Sequence, residues 1–137
     1  MSTHLVRDWM SKPVIIIDPD STVSHALTLM RRRHIHSLLV EDSSSGEPVY
    51  GIITTTDIRD KIVAINSDPA QTNVGKIMTA PVEFAEPDWS LRRCSRIMQE
   101  SNFHHMPVCD ENKTPIGMIS ATDIFIAVEE RGWVEDE

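Results

Sequence analysis

Leu5, Val6, Trp9 and Met10 fall at helical spacing, and so do Val74, Ile77 and Met78. Thr72 and Asn73 stand ahead of the second stretch as candidate caps. Pro13 and Pro81 end these two short helices, because the residue before a proline is pushed out of the helical region. Extended runs follow, Val14-Ile15-Ile16-Ile17 and Val82-Glu83-Phe84. Pro19-Asp20-Ser21 and Pro87-Asp88 then open longer helices. Their apolar faces are Val23, Ala26, Leu27 and Met30 in one and Leu91, Cys94, Ile97 and Met98 in the other. Each helix leads to a strand, Ser37-Leu38-Leu39-Val40 or His105-Met106-Pro107-Val108-Cys109. After a turn a second strand is predicted, over 49–54 or 116–120. A last helix is expected to bury Ile58, Ile62, Val63 and Ile65, or Ile124, Ala127 and Val128 with Phe125 beside them.

The pattern occurs twice. Trp9-Met10-Ser11-Lys12-Pro13-Val14 aligns with Ile77-Met78-Thr79-Ala80-Pro81-Val82 at an offset of 68, which also pairs Pro19-Asp20 with Pro87-Asp88 and Val40 with Val108. The offset falls to 66 at Gly51, which aligns with Gly117. Two extra residues therefore lie between Val40 and Gly51, around the polar turn Ser43-Ser44-Ser45-Gly46, which faces the shorter Glu111-Asn112-Lys113. Each copy reads β-α-β-β-α behind a short lead. The repeat boundaries are 1–66 for the first copy with its lead, 67–73 for the linker, 74–130 for the second copy and 131–137 for an acidic tail. A half of about 60 residues buries too little surface to be comfortable alone. The expected architecture is thus α+β, with the two repeats packed sheet to sheet about a pseudo-twofold axis.

One motif ends both copies. Gly51-Ile52-Ile53-Thr54-Thr55-Thr56-Asp57 is answered by Gly117-Met118-Ile119-Ser120-Ala121-Thr122-Asp123. Each is a short buried strand running into a helix N-terminus. The hydroxyl stands at the N-cap and the aspartate three residues on, the spacing of a capping box. The same residues also suit a ligand, since an ionised carboxylate accepts two hydrogen bonds from vicinal hydroxyls. Free amides at the helix N-terminus favour polar or anionic atoms.

Composition narrows the function classes. A formal charge of −8 over 137 residues argues against a nucleic-acid-binding surface. No apolar run approaches the ~20 residues of a membrane span. The first residues lack the basic-then-apolar order of a signal peptide, so a cytoplasmic location is expected. Cys94 and Cys109 lie in apolar-periodic stretches without metal-ligand spacing and read as buried thiols. Adjacent histidines on a strand face opposite ways, so His104 and His105 do not share an ion, and no third ligand accompanies His34 and His36; no metal is expected. Trp9, Trp89 and Trp133 read as packing or dimer contacts. No nucleophile elbow, Walker loop or zinc-hydrolase helix occurs, which leaves an enzyme the least favoured class.

Met-x-x-Pro-Val, Pro-Asp before a helix ending in Met, His-x-(Leu/Met)-x-Val and Gly-h-h-(Ser/Thr)-x-x-Asp together resemble the CBS domain, and two in tandem resemble a CBS pair, or Bateman module. The resemblance covers most of the chain. It implies a regulatory module that binds adenosyl ligands of the AMP, ADP and ATP class in clefts between the repeats and signals to a separate protein. It also implies association into a homodimer. An adenine nucleotide is then the regulatory ligand, with no catalytic cofactor. Carried over by position, Thr54 and Asp57 bind ribose in one site and Ser120 and Asp123 in the other. Lys12, Pro13 and Val14, with Ala80, Pro81 and Val82, flank the base. His36, His104 and His105 occupy the phosphate positions, with Arg59 available to assist. The sequence departs from nucleotide-binding members in having Thr56 and Thr122 where a lysine can precede the motif aspartate, which lowers the fixed positive charge. The alternatives are a ligand-free dimerisation or interaction module, and a sensor of S-adenosylmethionine or NAD(H).

Overall fold

The fold was obtained as a computed structural model that describes residues 4–132. Trp133 and most of the acidic tail lie outside the described residues. In chain order the elements are α1 (Val6–Trp9), β1 (Ile16–Ile17), α2 (Val23–Arg33), β2 (Ser37–Asp42), β3 (Val49–Thr54), α3 (Thr55–Ile58), α4 (Val74–Ile77), α5 (Leu91–Ser101), β4 (His105–Cys109), β5 (Pro115–Ser120) and α6 (Ala121–Arg131). The mixed α+β class expected from the periodicities holds. Packing, however, divides the chain differently from the sequence repeat. One compact unit is Ile15–Val82; the other joins the residues up to Val14 to those from Glu83 onward. Each lead belongs to the unit built on the opposite repeat.

In the Ile15–Val82 unit, β1 runs parallel to β2 with Ile16 opposite Leu39, and β2 runs antiparallel to β3 from Ser37–Thr54 to Asp42–Val49. The crossover from β1 to β2 is made by α2, as a parallel pair requires. Thr22 caps α2 by accepting from the His25 amide at 3.1 Å. The core gathers Val23, Ala26 and Met30 of α2, Leu38, Val40 and Ile53 of the sheet, and Val74 and Ile77 of α4. Thr72 and Asn73 do not cap α4 with their side chains. The Val74 and Gly75 amides instead donate to the carbonyls of Ser21 (2.8 Å) and Pro19 (2.9 Å). The 43–46 turn has Ser44 bonded through its amide and hydroxyl to Asp42 Oδ1, and Gly46 at φ +103°.

After α3 the chain continues as a π-helical turn, Arg59–Val63. Ile58 and Ile62, one turn apart, are buried, but Val63 and Ile65 are 69% and 67% exposed, contrary to the sequence expectation. Val63 is the next residue after Ile62, and one step around the helical turn carries it off the buried face.

The second unit repeats this plan with a shorter sheet. β4 and β5 are antiparallel, with His105 opposite Ser120 and a register break between Val108 and Cys109. The extended run expected at Val82-Glu83-Phe84 forms no strand. Pairing falls instead on Ala85, which makes a parallel bridge to Val108. Ala85 is apolar and buried whereas Glu83 is exposed, so burial selects the later residue. Val6 of α1 packs with Leu91, Cys94, Met106, Val108 and Ile119. The Val6 and Arg7 amides donate to Trp89 and Pro87 carbonyls, both at 2.9 Å, matching the arrangement around α4. Trp89 is buried with the Arg93 guanidinium 4.4 Å from its ring centroid; Arg131 stands 6.0 Å from the ring of Trp9.

Candidate ligand-binding site

Both motifs form complete capping boxes. At the β3–α3 junction the Asp57 amide donates to Thr54 Oγ1 at 3.2 Å and the Thr54 amide donates to Asp57 Oδ2 at 3.0 Å. At the β5–α6 junction the Asp123 amide donates to Ser120 Oγ at 3.1 Å and the Ser120 amide to Asp123 Oδ2 at 2.9 Å. Each hydroxyl residue is extended (φ −123° and −118°), so strand becomes helix within a single residue. This turn brings the carboxylate back over its own strand end.

The exchanged leads lie against these strands. Thr79 trades both main-chain hydrogen bonds with Ile52, each 2.9 Å, and Ser11 does the same with Met118 at 2.8 and 3.0 Å. The Val82 amide also donates to the Tyr50 carbonyl at 3.2 Å. The base-binding candidates Ala80, Pro81 and Val82 thus adjoin the strand bearing Thr54 and Asp57, while Lys12, Pro13 and Val14 adjoin the strand bearing Ser120 and Asp123. The motif glycines are explained by this approach. A Cβ on Gly117 would stand 2.8 Å from the Ser11 carbonyl oxygen, and one on Gly51 would stand 3.0 Å from that of Thr79.

The two carboxylates differ in their surroundings. Asp57 is 8% exposed, and its Oδ1 accepts from Lys61 Nζ at 3.1 Å and from Thr79 Oγ1 at 3.3 Å. Lys61 donates as well to the Ile77 carbonyl at 2.9 Å. Thr54 Oγ1 lies 3.2 Å from Asp57 Oδ2. Asp123 is half-buried. Among the described residues its remaining oxygen has no hydrogen-bond partner, since Ala127 occupies the place of Lys61 and Ser11 that of Thr79. Neither Lys61 nor Thr79 was singled out from the sequence. The available signal was the Asp57–Lys61 spacing of one helical turn, at which opposite charges meet.

His36 and His104 are exposed, and their carbonyls accept from the Thr55 and Ala121 amides at 3.0 and 2.9 Å. Both therefore stand beside the helix N-terminus of their motif. His105 lies opposite Ser120 in the sheet. Arg59 is exposed, and its Nε donates to Asp60 Oδ1 at 2.8 Å. That hydrogen bond raises the Arg59 guanidinium and lowers the Asp60 carboxyl from their ordinary values. Both cysteines are buried free thiols, and burial pushes Cys94 up to about 11 and raises Cys109 as well. Neither is suited to act as a nucleophile near neutral pH. Among the described residues no three His, Cys, Asp or Glu side chains gather around a common point. No described helix is long and apolar enough to cross a membrane.

The family model of the CBS domain matches twice, at residues 6–64 and 74–130. The chain belongs to the CBS-domain family. Its structure is similar to that of a hexameric CBS-CP12 protein from bloom-forming cyanobacteria (TM-score 0.87, 28% identity, covering 96% of this chain and 76% of that one). It is also similar to the CBS domain pair of protein MJ0100 in complex with 5′-methylthioadenosine and S-adenosyl-L-methionine (TM-score 0.79, 28% identity, covering 93% and 97%). Among curated proteins it is 34% identical over 119 residues to homoserine O-acetyltransferase of Methanosalsum zhilinae, covering 87% of this chain and 23% of that enzyme. The CBS pair thus spans less than a quarter of that relative, and the exchanged leads are how its two repeats complete their compact units.

Proposed function

We propose that this CBS pair is a regulatory module rather than a catalyst. It binds an adenosyl ligand of the AMP, ADP or ATP class and signals its presence to a separate protein. Ser120 and Asp123 face the ribose, Thr54 and Asp57 are the corresponding candidates in the other unit, and the leads at Lys12–Val14 and Ala80–Val82 are the base-flanking segments. His36, His104 and His105 lie at the phosphate end. The observation that carries this reading is the pairing of each lead with the motif strand of its unit. That pairing places main-chain groups able to read an adenine edge next to a carboxylate able to hold a diol. The likeness to a CBS pair complexed with 5′-methylthioadenosine and S-adenosyl-L-methionine supports an adenosyl ligand and keeps a sulfonium nucleoside among the candidates.

The rival reading, a ligand-free interaction module, is favoured by the two complete capping boxes, in which each motif already serves its own helix. Thermal denaturation with AMP, ADP, ATP, S-adenosylmethionine and NADH separates the two. A ligand at 100 times its dissociation constant adds ~2.7 kcal/mol to stability, a clear upward shift. No shift with any of them would leave the interaction module. If His104 faces phosphate, His104→Gln weakens AMP binding while adenosine binding is unchanged. The exposed Phe125 and Ile126 of α6, with Val63 and Ile65, are the surfaces through which we expect two copies to associate.

A further inference from the structure

We infer that the two half-sites are unequal: this chain takes one adenosyl ligand, at Ser120–Asp123, while Lys61 holds the Thr54–Asp57 half-site closed. The inference rests on the functional reading above. A ribose diol donates two hydrogen bonds and needs open acceptor positions on the carboxylate. An ionised carboxylate offers about four. At Asp57 all are taken: Oδ2 faces the Thr54 amide and hydroxyl, and Oδ1 faces Lys61 Nζ and Thr79 Oγ1. For a diol to take both positions on Oδ1, the ammonium must leave. Its departure exchanges an ion pair for a hydroxyl–carboxylate bond and deprives the Ile77 carbonyl of its donor.

At Asp123, among the described residues, no cation or hydroxyl occupies the corresponding acceptor positions. One oxygen accepts only the Ser120 amide and the other has no partner among the described residues. One turn further on, the methyl side chain of Ala127 carries no donor, and Ser11 is exposed and makes no bond to the carboxylate. The repeat has therefore kept the same hydroxyl and aspartate twice but supplied an internal cation to only one of them. The lysine is held by two acceptors on different segments, Asp57 in α3 and Ile77 at the end of α4, so it also ties the lead to the motif helix.

Titration calorimetry of the full chain with AMP, and separately with S-adenosylmethionine, tests this. Wild type should bind one equivalent per chain, and Lys61→Met, which keeps the apolar stem, should bind two. Asp123→Asn should lower wild-type affinity by about ten- to a hundredfold. In wild type labelled with 15N-lysine, the Lys61 ammonium resonance should hold its position at saturation, a reading that does not depend on the variant folding. Two equal sites in wild type, one site in a folded Lys61→Met, or displacement of the Lys61 resonance by ligand would overturn the inference and leave the functional reading standing. No binding of either ligand by wild type or variant would overturn both.

Discussion

Thr79 exchanges both main-chain hydrogen bonds with Ile52, at 2.9 Å each, although the two belong to different sequence repeats. Ser11 and Met118 repeat the relationship in the other unit. The candidate base and ribose residues become neighbours through these four bonds, so what disturbs them should disturb stability and binding together.

Gly117→Ala is expected to be the more damaging of the two motif-glycine substitutions. Its new methyl would meet a main-chain oxygen at 2.8 Å, whereas at Gly51 the shortest approach is to the movable Met78 sulfur, with the Thr79 oxygen at 3.0 Å. Overpacking of this kind costs ~1–3 kcal/mol. Urea denaturation should place Gly117→Ala below Gly51→Ala, and equal midpoints would count against the close approach of Ser11.

Asp57→Ala should destabilise the fold more than Asp123→Ala. Both lose half of a capping box, but only Asp57 also holds Lys61 and Thr79. Loss of a cap costs ~1 kcal/mol. The Lys61 pair adds little more because its side chain is 45% exposed and screened, so the difference should be no more than ~1 kcal/mol. Denaturation at low and high salt should narrow the gap as ionic strength rises.

Alkaline conditions should weaken the fold through Cys94. Its thiol is raised by burial from 9.0 to about 11 in the folded chain, so between those values the unfolded state has released a proton that the folded state retains. Stability is full below pH 9 and falls as pH rises, by up to ~1.4 kcal/mol per pH unit, levelling near pH 11. Cys94→Ala should flatten this slope in melts across pH 8.5 to 10.5. A thiol reagent at pH 8 should react with the native protein far more slowly than with the unfolded chain.

The apolar surface after each motif should mediate self-association. Phe125 is 68% exposed and Val63 69% exposed, which is unfavourable for side chains of that size facing water. Sedimentation at tens of micromolar should show a dimer, and Phe125→Glu should shift it towards monomer without lowering the melting temperature of the monomeric unit. A wild-type monomer under those conditions would remove the prediction.

Periodicity and turn chemistry were enough to place most elements. The 3.6-residue spacing of Val23, Ala26 and Met30, the short apolar run ending at Thr54 and the proline stops each act over a few residues, so they are written locally. Where a burial choice depended on a distant neighbour, local pattern misled. Val63 and Ile65 are as apolar as Ile62 yet face water, and pairing at the start of the second repeat moved from Val82-Glu83-Phe84 to Ala85.

The duplicated motif by itself determined which residues are candidates for a ligand, because hydroxyl, aspartate and glycine recur in register and their chemistry is intrinsic to the side chains. Only the tertiary structure decided their company. Nothing in the order of residues says that Ser11 pairs with Met118 or that Thr79 pairs with Ile52. Each lead could have closed on its own repeat with the same local pattern. Nor does the motif announce that Lys61 folds back on Asp57 while Ala127 leaves Asp123 open. Such pairings are set by which main-chain groups and charges the packed core brings within hydrogen-bonding distance, and that is a property of the whole folded chain.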